Sequence, residues 1–215
     1  ALNELLDRRL VHDAGGQRQF DYAFAHAVIQ QTLYADLPPD RLKHRHRRVG
    51  QIMEELYADR LAEIGGELAL HFDRGGEFVR AVTYYRRTAY RLINLYADTE
   101  ALHAIERALD LLAPDSMSDR FEMLALREGV YHRRGERTAQ WADLEQLTAL
   151  ANDDEARCEV LHRQVAYFSV TGERAAEADR VERLRACADR APTMMWQARA
   201  WLVAGQYQVL ISDYE

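Results

Sequence analysis

The chain has 215 residues, 48% apolar and 29% charged, with 11 glycines and 4 prolines. That balance is too apolar for a disordered segment and too charged for a membrane protein, and no window approaches ~18 uncharged apolar residues. The 28 Lys and Arg against 35 Asp and Glu give a net charge of −7, which argues against general nucleic-acid affinity.

The first expected element is a short helix over 2–10. A hairpin follows over 11–24, because Phe20, Tyr22 and Phe24 alternate with other residues and Ala14-Gly15-Gly16 supplies a turn. From residue 25 onward the apolar period is helical. Helices are expected near 25–37, 39–57, 62–73, 77–96, 99–112, 117–134, 137–151, 154–171, 174–190 and 193–211. Phe78, Val82, Tyr85, Ala89, Leu92 and Tyr96 keep to one helical face, as do Leu102, Ile105, Leu109 and Leu112. Pro38, Pro39, Pro114 and Pro192 fall between helical stretches, where a residue without a backbone N–H belongs. Asn152-x-x-Glu155 and Ser116-x-x-Asp119 read as capping boxes.

The chemistry-bearing motifs are mostly absent. Lys43, the single lysine, follows Asp40-Arg41-Leu42 rather than glycine, so the chain holds no phosphate loop of the G-x-x-x-x-G-K-[ST] type. Cys158 and Cys187 form no C-x-x-C pair, which disfavours a disulfide scaffold and a cysteine zinc site. No H-E-x-x-H or G-x-S-x-G signature occurs, and no catalytic function is expected. The run from Arg41 to Arg48 is basic, but helical geometry spreads it around the axis. It reads as a solvated face or one paired with acidic residues. Trp141, Trp196 and Trp201 read as core or packing residues.

A repeat runs through the helical part. Tyr131-x3-Gly135 recurs as Phe168-x3-Gly172, 37 residues on. Leu68-Ala69-x2-Phe72-x3-Gly76-x4-Ala81-x3-Tyr85 resembles the tetratricopeptide pattern, with Gly65 where Trp would stand. Trp201-x2-Ala204-Gly205 opens a further unit, whose apolar face of Trp201, Leu202 and Val209 lacks a partner helix. The resemblance implies an all-α, tetratricopeptide-like α-α superhelix in which each helix pair buries its apolar face only by stacking on the next. In such arrays the first helix of each pair lines a groove. That register directs Glu122, His132, Arg133, Glu159, His162, Ser169 and Gln206 toward one surface. A protein or peptide partner or a small effector would bind there; the alternative is that these residues simply face solvent.

Leu5-Leu6-Asp7-Arg8-Arg9-Leu10-Val11, the hairpin, and Tyr22-x-Phe24-x-His26-x2-Ile29-x4-Tyr34-x6-Arg41-x4-His46-x2-Val49 form a recognisable string, continued by Glu67-Leu68-Ala69-x-His71-Phe72. It resembles the junction between winged helix and helical repeats in STAND-class signal-transduction ATPases, including the large ATP-binding LuxR-type and maltose-regulator-like transcription regulators. The resemblance implies the C-terminal part of a winged-helix domain over 1–37, its β-hairpin included. A repeat domain, truncated at its C-terminal end, would occupy 38–215. It also implies a cytoplasmic parent with an NTPase domain upstream of Ala1, so that ATP or ADP binds the parent and no cofactor binds this piece. The function implied is a non-catalytic sensor and protein-interaction module that contacts the upstream NTPase domain. Binding of nucleic acid through the hairpin and the 41–48 helix is the alternative. In the family a winged-helix histidine touches the bound nucleoside diphosphate. His26 resembles that position, with Ala25 and Ala27 where the family has Met and Asp. Either His26 senses nucleotide in the parent or it packs at the start of its helix.

Overall fold

The computed structural model describes residues 2–13 and 22–212. The expected glycine turn at 14–16, Phe20, and the turn expected at 213–215 lie outside the described residues. Two compact units divide the chain, Ala1–Glu77 and Phe78–Glu215.

The first unit opens with α1 (Leu2–Asp7), then β1 (Val11–Asp13) and β2 (Tyr22–Phe24), followed by α2 (Ala27–Ala35), α3 (Pro39–Leu56) and α4 (Gly65–Arg74). The strands pair antiparallel with Val11 opposite Phe24 and Asp13 opposite Tyr22, which is the expected hairpin. α2 buries none of its residues, and Tyr22, Phe24, Val28 and Leu33 are exposed. Pro38 and Pro39 start α3, where the fixed proline φ suits a first helical turn. α3 packs on α4 at very short range. A Cβ on Gly50 would stand 3.0 Å from the Phe72 ring, and one on Gly75 would stand 2.9 Å from the Arg47 backbone nitrogen. Glycine at both places is what allows the approach, and Leu68, Ala69 and Phe72 fill the seam with no exposure at all.

The second unit contains α5 (Phe78–Asn94), α6 (Asp98–Leu111), α7 (Met117–Arg134), α8 (Arg137–Leu150), α9 (Asp154–Thr171), α10 (Arg174–Ala188) and α11 (Met194–Ser212). α5 pairs with α6, α7 with α8, and α9 with α10, and each pair packs on the next. The chain is thus all-α, with helices in adjacent pairs as a helical repeat requires and one small hairpin at its N-terminal end. The core between pairs holds Ile105, Met123, Leu124, Leu144 and Leu147, each 1% exposed or less. Burying side chains of that size contributes roughly 1.5–3 kcal/mol apiece. Trp141 packs on Tyr167 and Phe168, with ring centroids 4.9 and 5.2 Å away, and Trp196 is buried. Trp201, Leu202 and Val209 are exposed, as the repeat register expects.

The 37-residue repeat is also a repeat of geometry. Gly135 and Gly172 both adopt a left-handed backbone, with φ of 74° and 78°. The next residue's N–H returns to the carbonyl of Tyr131 in one case and Phe168 in the other. This closure satisfies the last carbonyls of the first helix and turns the chain directly into the second. Tyr96 performs the same turn at φ 56° between α5 and α6 without being glycine.

Two local expectations are corrected. Helix α9 is capped by Asp153, not Asn152: its carboxylate accepts the Ala156 N–H at 2.7 Å. Ser116 is the first-cap residue of α7, but with ψ at 56° its hydroxyl caps no N–H. A Ser or Asn followed by an acid matches the box; only an extended backbone at the cap aims the oxygen correctly. Within the first unit α4 pairs with α3.

Candidate functional site

Within the second unit the first helices of the pairs form a row. α5 touches α7, α9 touches α11, and Arg163 of α9 donates to the Ala125 carbonyl of α7 at 3.0 Å. Two adjoining cavities of about 470 and 280 Å³ share His132, His162 and Ala166, which makes one groove across α7, α9 and α11. Five of the seven expected residues line it: His132, Glu159, His162, Ser169 and Gln206.

Glu122 and Arg133 do not. Glu122 accepts from Tyr90 Oη at 2.8 Å and from Arg86 at 3.1 Å, on the same row but nearer α5. Arg133 forks onto both carboxylate oxygens of Asp98, at the start of α6, and lies 5.5 Å from the Tyr96 ring. A bidentate carboxylate partner one repeat earlier outcompetes the groove for that guanidinium. His26 is exposed at the first-cap position of α2 and makes no side-chain capping bond. Its backbone carbonyl accepts from Ile29.

The groove has a rigid polar floor. Glu128, 3% exposed, accepts from Gln140 Nε2 at 2.6 Å and from Arg163 at 2.6 Å. Arg163 also holds Glu159 at 2.8 Å, and Gln140 lies 3.1 Å from His132 Nδ1. Two groove residues are therefore positioned by buried partners. His162 meets the edge of Trp196 at 6.2 Å, and Arg199 stacks over Trp196 at 5.1 Å. Burial, and then the charges of Arg199 and Arg163, push the His162 imidazole below its ordinary value. It is thus a neutral hydrogen-bonding group rather than a cation at neutral pH. The arrangement offers a carboxylate, a guanidinium, imidazoles, a hydroxyl, an amide and an aromatic face along one line.

Sequence reasoning missed Glu128, Arg163, Trp196 and Arg199 as groove residues. The repeat held the signal for two of them, since 37 residues beyond Glu159 and His162 lie Trp196 and Arg199.

The chain matches none of the protein families, curated proteins or solved structures compared with it. Among the described residues, no three His, Cys, Asp or Glu side chains gather as a metal site, and no helix is long and apolar enough to cross a membrane.

The basic run of 41–48 is partly consumed inside the first unit. Arg47 Nε lies 2.9 Å from Glu77, and Arg47 Nη2 donates to the Gly75 carbonyl. His46 joins a polar chain: the Tyr34 hydroxyl is 2.7 Å from its Nε2, and its Nδ1 is 3.0 Å from His71 Nδ1. One shared proton suits two facing Nδ1 atoms, and two protons would collide. Burial lowers both histidines below the ordinary value. The facing His71 charge and Arg74 add to this for His46; Arg74 adds to it for His71, and Glu67 partly opposes it. The unfolded chain then takes up protons at about pH 6.5 while the folded one does not, so stability falls as pH drops through that value. His162 acts in the same direction. The melting temperature is expected to fall between about pH 7.5 and pH 5.5, and His46→Gln with His71→Gln should flatten that slope. Parallel slopes for the two proteins would show that the pair does not titrate.

Proposed function

We propose that this chain is a non-catalytic sensing and interaction module of tetratricopeptide-like type, taken from a STAND-class regulator, and that the α7–α9–α11 groove receives an extended segment of a protein partner. The observation that carries this reading is the convergence of His132, Glu159, His162, Ser169 and Gln206, far apart in sequence, on one groove with Trp196 at its wall. Weak polar contacts add along a line when their donors and acceptors are fixed beforehand, and the Glu128–Arg163–Glu159 chain fixes them here. The exposed apolar side chains of the hairpin and α2 support contact with another domain of the parent. The expected role is to hold a partner and pass its presence to the parent's ATPase switch, which requires two states that bind the partner differently.

Peptide selection from a random library on the whole chain tests the reading. Selected peptides should lose roughly tenfold or more in affinity on His162→Ala with Arg199→Ala, since a hydrogen bond from the charged Arg199 contributes ~1.5–3 kcal/mol and one to the neutral His162 ~0.5–1.5 kcal/mol. Arg45→Glu with Arg48→Glu, both exposed on α3, should leave affinity unchanged. The reverse ranking, together with steeply salt-dependent duplex binding, would make the nucleic-acid reading the better one.

A further inference from the structure

On the other side of α9 lies a second cavity of about 440 Å³, between α8, α9 and α10. Its chemistry differs from the groove's. Four arginines line it, Arg157 from α9, Arg180 and Arg183 from α10, and Arg190 from the turn just past α10, and no carboxylate does. In a chain with net charge −7 this is a local reversal of sign. The rest of its lining is mostly apolar, Val160 and Leu161 among it.

Two carboxylates stand beside the cavity, and they are too few. Asp154 holds Arg157 at 3.1 Å and lies 3.7 Å from Arg190. Asp179 pairs with Arg180 and lies 3.5 Å from Arg183. Four guanidinium groups thus share two acids, and the two longest ion pairs belong to Arg183 and Arg190; Arg190 Nη1 also donates to the Ala186 carbonyl at 2.7 Å. The two arginine side chains are 61% and 60% exposed, Arg183 in the second half of α10 and Arg190 in the turn that follows it. Arg180 is held differently. Its Nε donates to Gln164 Oε1 at 2.9 Å, and Gln164 donates to Thr148 Oγ1 at 3.1 Å. One wall is therefore fixed, and two forks beside it have bonding capacity to spare. Guanidinium forks match the two oxygens of a carboxylate or phosphate, and an apolar lining suits a ring or short chain attached to it. The volume falls in the range of small-molecule sites.

We infer that the α8–α9–α10 cavity binds a small organic anion, a carboxylate or phosphate on an apolar body, with Arg183 and Arg190 as its main charge partners. This site is separate from the partner groove and does not depend on that reading.

Calorimetric titration of the whole chain tests it, with 1-naphthyl phosphate, 1-naphthoate and neutral 1-naphthalenemethanol as probes. At least one anion should bind with Kd below about 1 mM, and the neutral probe roughly tenfold more weakly or not at all. The tighter anion identifies the acid group the site takes. Arg183→Ala with Arg190→Ala should weaken that anion by roughly tenfold or more. Arg199→Ala, in the other groove, should leave it unchanged. If circular dichroism shows the double variant unfolded, Arg183→Gln and Arg190→Gln taken singly should each weaken it by about threefold or more. Absence of binding by either anion at millimolar concentration would overturn the inference. So would equal binding of the neutral probe, or unchanged anion affinity in the folded arginine variants.

Discussion

Replacing Asp143 by alanine should cost about 3–5 kcal/mol and lower the melting temperature by on the order of 10 °C. The Asp143 side chain is 1% exposed and that of Arg127 19%. The two meet through paired hydrogen bonds, Nε to Oδ2 at 2.9 Å and Nη2 to Oδ1 at 2.6 Å. Bonding to Asp143 raises the Arg127 pKa further still, so the guanidinium keeps its charge when the carboxylate goes. The variant then buries an unpaired cation between α7 and α8, beside Leu144 and Leu147. Arg127→Leu with Asp143→Leu removes both charges and should cost much less than Asp143→Ala alone. Urea unfolding of the three proteins measures this. A loss below about 1 kcal/mol for Asp143→Ala would mean that water reaches the pair.

Glu128→Ala should cost about 3 kcal/mol and also abolish partner binding in the groove. Glu128 is the acceptor on which Gln140 and Arg163 converge, so its loss leaves one buried amide and one largely buried guanidinium short of partners. Arg163 keeps the Ala125 carbonyl and Glu159, which limits the cost. It is then free to pull Glu159 out of position. Glu128→Gln keeps the shape and one acceptor oxygen and should lose less stability. Unfolding in denaturant reads the stability, and affinity for library-selected peptides reads the groove. A destabilised variant with undiminished peptide affinity would show that the floor does not position the groove.

Helix locations were legible because proline, glycine and the apolar period mark them independently. Pro39 opens α3, and Gly135 and Gly172 close α7 and α9 where expected. Which helix packs on which was less legible. Apolar spacing reports that α4 has a buried face, but the close approach of Gly50 to the Phe72 ring and of Gly75 to the Arg47 backbone is what joins it to α3. The groove was legible where a side chain has no stronger local partner, as at Ser169 and Gln206. It was illegible at Arg133, because Asp98 belongs to the preceding helix pair and nothing in spacing announces that bond. Gln140, Asp143 and Glu177 sit fully within the interior at 0–2% exposure. Their burial is invisible to a pattern that equates polar with outside, since it depends on Arg137, Arg127 and Arg174 reaching in to meet them.

The buried polar contacts of successive helix pairs occupy equivalent positions with the roles exchanged. In one pair the first helix supplies the cation, Arg127, and the second the acid, Asp143; 37 residues on, the first supplies Gln164 and the second the cation, Arg180. Suppose α7 closed on α10 instead of α8. Arg127 would face Arg180 and lose Asp143, while the acid next to Arg180 on α10, Asp179, already pairs with Arg180. Were α9 to close on α8, Asp143 would face an amide and stay unneutralised. Each of these two hairpins thus carries an address that only its own second helix satisfies. Repeats with similar apolar faces invite exchange during folding, and here a wrong exchange costs a buried polar partner that the native pairing supplies.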